Sequence, residues 1–458
     1  MAVLLQYYSM SKKNLVWILA VIILGLLFWY IPDTVNRERE FYRVFAPLAD
    51  IRAQVHKNYV EPVDDKKLLR GAIKGMIRQL DPFSRYIPPE QLKSFDQQTS
   101  GTIQGIGIFL EERDGILTVI SPLEGSPAFR AGIQAGDQIL RINGESTKSM
   151  SLPEAVSKLT GPAGTKVTVE IRHKIDGKIE TISMIRSIVE IHSVKGFVRK
   201  ADGSWDYMID RKHRIAYIRI TGFLANTASE LDEAWHQLLP EKPAGLILDL
   251  RSNPGGLLQS AVDVANRFLD EGAIVSTKGR WREKVTWKAT PENTYRPLPI
   301  VVLINQYTAS AAEIVSGALQ VHKRATVIGV RSFGKGSVQT VIPLHNGYGA
   351  IKITTAYYYL PNGRNIHRRA HSKVWGVDPD IKIPLTAKQQ IAIEISRRKA
   401  DIILPRVASS PSSKYGVKSE KRDELPAHVI IDKQLKAALD FLVKKIKSAS
   451  EASTKSAA

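Results

Sequence analysis

Ser310, Lys335 and Gln339 have the side-chain types needed to cut an amide bond, and each also has a plainer reading. Ser310 lies in "PIVVLINQYTASAAEIVSGALQ" (299–320), after an apolar run and at the head of a helical pattern. A serine there can cap the helix by accepting a backbone N–H. It can equally be a nucleophile, because the next N–H, that of Ala311, points outward with the positive end of the helix dipole. Lys335 sits between Gly334 and Gly336 in "RSFGKGSVQTVIPL" (331–344). A lysine serves as a base only when burial away from carboxylates brings its pKa down from about 10.4 toward neutrality. The plainer reading is a hairpin lysine in water. In extended geometry Lys335, Ser337 and Gln339 share a face. Gln339 can then hold the amine through a neutral hydrogen bond, where a carboxylate would keep it protonated.

A third stretch, "LDLRSNPGGLL" (248–258), ends an apolar run in a turn. Its plain reading is a strand end. Its chemical reading is an oxyanion hole, in which a glycine N–H complements that of Ala311. Either Gly255 or Gly256 can donate, and Gly256 is favoured. Asp249 reads as structural, pairing with Arg251. Glu313, in the first helical turn, reads as structural or as a complement to the helix dipole. His322, His345 and His367 stand in no telling context, and no G-x-S-x-G frames Ser310, which counts against a histidine-based lipase or esterase.

The elements around these residues follow from periodicity. Residues 41–95 are helical in pattern, with Leu69, Ile73, Met76 and Leu80 at three- and four-residue spacing, until Pro82, Pro88 and Pro89 break it. From 102 to 186 short β runs take over, with "SPAFRAGIQAGDQILRINGE" supplying a small helix, a Gly turn, a strand and an Asn-Gly turn. Upstream lies "GIGI" (Gly105, Ile106, Gly107, Ile108), a loop able to hold a carboxylate beside a strand edge that can accept an extended peptide. From 214 strands and helices alternate at short intervals, which argues for a mostly parallel sheet with flanking helices. "GLILDL" and "PIVVLIN" read as strands buried on both faces. The C-terminal "KQLKAALDFLVKKI" puts Leu435, Leu439, Leu442 and Ile446 on one stripe, and 408–422 and the last residues read as linker and tail.

"GIGI" followed by "SPAFRAGIQAGDQILRINGE" resembles a PDZ domain, which implies capture of a protein C-terminus with an apolar last residue. "LDLRSNPGG", then "TASAAE", then "GKGSVQ", in this order after the PDZ-like stretch, resembles the carboxyl-terminal processing (tail-specific) serine peptidases. "VEPVDDKKLLRGAIKGMIRQLDPFSRYI" is similar to that family's N-terminal segment, with Phe83 where the family usually has His. "TTAYYYLPNGRNIH" and "GVDPDI" are similar to further family stretches. The resemblance implies an α/β, multi-domain fold: a crotonase-like protease core, an inserted PDZ-type β domain, an N-terminal helical segment and a helical C-terminal region. It implies a site in which Ser310 attacks, Lys335 takes and returns the proton, Gln339 orients Lys335, and no cofactor or metal takes part. Domain bounds are expected at 11–34 (membrane anchor or signal segment), 38–97 (helical region), 98–186 (PDZ), 187–385 (protease core) and 386–458 (helical region and tail). A catalytically silent PDZ adaptor is the alternative, and the intact Ser310, Lys335 and Gln339 argue against it.

The whole chain sets outer limits. Its 458 residues exceed one compact core, and the absence of cysteine excludes disulfides and thiolate metal sites. A net charge of +20 suits an anionic surface, and no nucleic-acid-binding signature accompanies it. "LVWILAVIILGLLFWYI" (Leu15 to Ile31) carries no charge and follows Lys12 and Lys13, as in an inner-membrane anchor with the rest of the chain exported. Trp17, Trp29 and Tyr30 suit the interfaces, a cleaved signal peptide is the rival, and Met10 is a second candidate start. The expected partners are protein substrates with apolar C-terminal tails, the membrane through the N-terminal segment, an adaptor protein and a second copy of the chain. Nucleic acid is not among them.

Overall fold

A computed structural model describes residues 12–200, 202–403 and 432–457. The chain divides into two compact units, 1–86 and 87–458. In the first, Lys12–Asn58 is one helix and Asp65–Arg78 a second, capped by Asp64, whose side chain accepts the Lys66 N–H at 2.8 Å. Asp65 joins the two helices by accepting from Arg52 (2.7 Å) and His56 (2.8 Å). The expected stripe is not a buried one: Leu69, Met76 and Leu80 are exposed and Ile73 is half-buried. Two helices alone offer too little surface to cover an apolar face. Among the described residues, no helix is long and apolar enough to cross a membrane. Met10 and the side chains of Trp29 and Tyr30 lie outside the described residues.

The second unit is built on a sheet whose strands Ile215–Ile220, Gly245–Asp249, Ile300–Ile304, Thr326–Gly329 and Ile381–Lys382 run parallel in that order. Every residue of the first three is buried, as continuous apolar runs require when both faces are covered. One face packs against the helices Thr227–Leu238, Leu258–Asn266 and Ala311–Val321. The other takes the C-terminal helix Lys433–Ala457, whose Leu435, Leu439 and Leu442 fall against Tyr217, Ile247, Val301 and Ile328, with Ile446 at the margin. A second, antiparallel sheet contains Ala273–Gly279, Val285–Lys288, Ser337–Pro343 and Ala350–Tyr359.

A separate β module has its own core, including Ile106, Val119, Ile139, Ile142, Val167 and Ile171. Its strands Ile108–Arg113, Ile116–Pro122, Gln138–Ile142, Lys166–Arg172 and Ile179–Ile185 pair antiparallel in that order. Asn143 and Gly144 both take positive φ (51° and 83°), as an Asn-Gly hairpin turn of type I′ demands. The chain enters and leaves this module through one two-stranded ribbon, Thr102–Gly105 antiparallel to Ser187–Glu190. Two adjacent crossings are what an insertion into a host domain requires.

Candidate active site

Ser310 stands where the strand Ile300–Ile304 turns into the helix Ala311–Val321. Its backbone is held at φ 57°, ψ −119°, a conformation that costs a non-glycine residue about 1–3 kcal/mol and persists only where its surroundings fix it. The fixings are visible. The Ser310 N–H donates to Glu313 Oε2 at 2.8 Å, the Ala309 N–H to the Asn253 carbonyl at 2.9 Å, and Thr308 Oγ1 to the Leu250 carbonyl at 2.8 Å. Ser310 is the N-cap residue of a capping box, and its own side chain makes no cap hydrogen bond of ordinary geometry. The helix is capped the other way, from Glu313 back to Ser310. The Ser310 hydroxyl also lies near the phenol of buried Tyr358.

The turn 253–256 lies flush against this serine. A Cβ on Gly255, whose φ is 98°, would fall 2.7 Å from the Ser310 Cβ and 2.9 Å from the Ala311 nitrogen. A Cβ on Gly256 would fall 2.1 Å from the Phe223 carbonyl oxygen. Two glycines in a row are thus needed for two different approaches. The Gly255 N–H is occupied, donating to Asn253 Oδ1 at 2.8 Å. Asn253 is itself fully buried and anchored through Nδ2 to the Ile220 carbonyl at 2.8 Å. The N–H groups of Gly256 and Ala311 donate to no group among the described residues. Backbone donors with no partner are what a developing oxyanion would need.

Lys335 comes from a loop between the strands Thr326–Gly329 and Ser337–Pro343. Its N–H donates to Glu313 Oε2 at 2.8 Å, the same oxygen that receives the Ser310 N–H. The loops are joined again where the Phe333 N–H donates to the Thr308 carbonyl at 2.9 Å. The Tyr358 hydroxyl donates to the Lys335 carbonyl. Burial pushes the Lys335 amine below the ordinary lysine range, and the Glu313 carboxylate opposes that fall. The expectation of a lysine far from carboxylates is therefore corrected: one stands nearby, and desolvation outweighs it.

Of the three residues expected on one face, Ser337 and Gln339 lie in the strand with their side chains in contact, and Lys335 lies in the loop before it. The strand begins at Ser337, after Lys335, and its register shifts between Val338 and Gln339. Gln339 Nε2 donates to Ser337 Oγ (2.9 Å) and Thr354 Oγ1 (3.1 Å). Both amide hydrogens are occupied there, so what Gln339 can offer an amine is its carbonyl oxygen.

Asp249 is fully buried, with Arg251 Nη2 at 2.7 Å as the sequence led us to expect, and with Arg397 and the Tyr217 hydroxyl (2.8 Å) besides. Burial works against its charge, but Arg251 and Arg397 hold its carboxyl well below the usual range. His322 is structural, with Nε2 2.7 Å from the Ala273 carbonyl. His367 packs beside Gly336 and against the Tyr357 ring, 5.0 Å between centroids.

The "GIGI" loop belongs to the β module. Ile106 is in its core and its carbonyl accepts the Ala128 N–H, while the Gly107 carbonyl accepts Leu123 N–H and Ser126 Oγ. Gly105 bridges to Thr160. Ile108 opens a strand at the edge of the five-stranded run, next to the helix Leu152–Leu159. A strand at a sheet edge can in general accept an extended peptide as an added strand.

Sequence reasoning missed the shared contact at Glu313 and the placement of Tyr358. The S-x-x-E spacing of Ser310 and Glu313 was a signal, but one that ordinary helix capping also gives.

Similarity to known proteins agrees with this geometry. Residues 214–383 match peptidase family S41, 118–173 match the PDZ domain, and 35–91 match the N-terminal domain of the activating protease CtpB. A carboxy-terminal-processing protease of Bartonella bacilliformis is 40% identical over 363 residues, covering 78% of this chain and 79% of its own length. Carboxy-terminal processing protease CtpA of Bacillus subtilis is 39% identical over 334 residues, 72% of this chain and 67% of its own. Among solved structures, a photosystem II D1 C-terminal processing protease is 31% identical, covers 73% of this chain and 86% of its own, and has a TM-score of 0.43.

Proposed function

The chain belongs to peptidase family S41, among the carboxy-terminal-processing proteases, and from that premise we propose that Ser310 and Lys335 carry its chemistry. It is a serine-type peptidase, a multi-domain α/β protease with an inserted PDZ domain. In the proposed cycle the neutral Lys335 amine takes the Ser310 hydroxyl proton as Oγ attacks the scissile carbonyl. The oxyanion forms between the N–H groups of Ala311 and Gly256. Lys335 then gives its proton to the leaving amine, and an acyl group stays on Ser310. Water attacks that ester while Lys335 takes the water's proton, which returns to Ser310 as the acid product leaves. Gln339 orients the amine through its carbonyl oxygen.

The observation that carries this reading is the meeting of the Ser310 and Lys335 backbones at one carboxylate oxygen, beside two N–H groups that donate to no group among the described residues. Selection of substrates by an apolar C-terminal tail is assigned to the β module, at Gly105 to Ile108 and the adjoining edge strand. Export, with the segment 11–34 as an anchor in the inner membrane, rests on the apolar run after Lys12 and Lys13. Domain bounds at 38–97, 98–186, 187–385 and 386–458, a second copy as partner and an adaptor remain part of the same proposal.

The test is cleavage of an unfolded protein, β-casein, by the full chain and by Ser310→Ala and Lys335→Ala. Each variant is expected to lose at least about a thousandfold in kcat. Equal cleavage by all three would end the proposal. Repeating the assay with apolar and with charged C-terminal tails tests the selection step, and equal rates for both would remove it.

A further inference from the structure

We propose that Glu313 is a positioning residue of this site, a carboxylate that sets the spacing between nucleophile and base by holding the backbone of each. The inference rests on the Ser310–Lys335 reading above. Glu313 is fully buried in the first turn of the helix Ala311–Val321. Its Oε2 accepts the Ser310 N–H and the Lys335 N–H, each at 2.8 Å. Its Oε1 accepts the Ser332 hydroxyl at 2.5 Å and the Gly334 N–H at 2.7 Å. Two loops 25 residues apart in sequence are therefore fastened to one rigid, planar group at the two residues that must react together. Ser332 extends the hold by accepting the Val377 N–H at 2.7 Å, and Gly376 passes so close that a Cβ there would lie 3.3 Å from Oε1. The Phe333–Thr308 bond joins the same loops two residues away from either catalytic residue, so it fixes their bases and not the reacting groups.

The donors around Glu313 match an ionised carboxylate. An ionised carboxylate offers about four acceptor sites, and four donors fill them. A protonated carboxyl would have to turn the Ser332 hydroxyl from donor to acceptor. Burial pushes the Glu313 pKa up, and the hydrogen bonds from Ser332, Gly334, Lys335 and Ser310 oppose it. All four donors are neutral groups, so the negative charge persists and acts on the Lys335 amine, raising what burial lowers. The titratable groups around this pair include Tyr358, from the strand Ala350–Tyr359, and His367, which packs beside Gly336. Glu313 thus sets both the placement of the base and the pH at which it becomes neutral.

The experiment measures kcat and KM of the full chain on β-casein from pH 5 to 10, for wild type, Glu313→Gln and Glu313→Asp, with Ser310→Ala and Lys335→Ala as controls. The Gln amide turns an N–H2 toward donors that need an acceptor and removes the charge. A loss of about a hundredfold in kcat is expected, with KM within about threefold and the acid limb displaced to lower pH. Glu313→Asp keeps the charge and shortens the reach, so kcat falls while the acid limb stays in place. A purely structural role would lower the folded fraction and leave the limb unmoved in both variants. Wild-type kcat in Glu313→Gln, or a reduced kcat with an unmoved limb, overturns the inference. If Glu313→Gln does not fold, Glu313→Asp decides, and full kcat there overturns it. Activity in Ser310→Ala or Lys335→Ala overturns the parent reading, whereas inert controls beside a fully active Glu313→Gln overturn this inference alone.

Discussion

Two adjacent parallel strands, Gly245–Asp249 and Ile300–Ile304, lead into two fully buried carboxylates that the molecule treats in opposite ways. Asp249 is met by cations: Arg251 and Arg397 pair with it, and Arg251 passes on to Asp432 at 2.8 Å, just before the C-terminal helix. Glu313 is met by three backbone N–H groups and one hydroxyl. Arginine pairing cancels a charge and ties helices to the sheet. Neutral donors fix a carboxylate in place and leave its field in force. The first arrangement suits a strut beneath the turn 253–256, the second a neighbour of the proposed base whose charge acts on a lysine.

Variants can break this contrast, beginning with the largest effect. Asp249→Ala leaves two buried guanidinium groups without their shared partner, and a loss of about 3–5 kcal/mol in chemical denaturation is expected, with kcat per folded molecule nearly unchanged. A kcat loss of the size expected for Glu313→Gln would erase the distinction between strut and neighbour of the base. Gly255→Ala forces a Cβ to 2.7 Å from the Ser310 Cβ, and kcat should fall about a hundredfold while the protein stays folded by circular dichroism. Leu439→Ala, on the stripe beneath the sheet, should cost about 2–5 kcal/mol in denaturant and leave KM unchanged.

The next test sharpens the charge argument by pH. The Asp249 pKa is depressed by its arginines, so its contribution is present above the ordinary aspartate range and is lost as pH falls toward its folded value. The stability gap between wild type and Asp249→Asn should therefore narrow below about pH 4. A gap constant down to acid pH would mean that charge is not what the pair supplies. The smallest effect is expected at Tyr358→Phe, which removes the hydroxyl that donates to the Lys335 carbonyl: about a threefold to tenfold drop in kcat, measured on β-casein.

The contrast also explains what was legible in the sequence. "GLILDL" and "PIVVLIN" announced buried strands because continuous apolar runs have few other uses, and both are fully buried. The Leu435, Leu439 and Leu442 stripe found its sheet for the same reason. Leu69, Met76 and Leu80 have the same periodicity, yet they are exposed, because a pattern states that a face is apolar and not what covers it. At the site, Asp249 and Arg251 are two residues apart, so their pairing could be read locally. Glu313 and Lys335 are 22 apart, and their meeting depends on a loop returning from the next strand. Gln339 marks a limit of strict alternation: its side chain meets Ser337, but the strand starts after Lys335 and its register shifts by one residue before Gln339.

The proposed cycle requires Lys335 to be neutral when Ser310 reacts. The pH dependence of kcat/KM on β-casein, with the full chain between pH 5 and 10, tests this most directly, because its acid limb reports the base of the free enzyme. A single-proton limb lying below the ordinary lysine range of about 10.4, absent from the residual rate of Lys335→Ala, is the predicted result. A profile flat across the range, or an identical limb in Lys335→Ala, would contradict it.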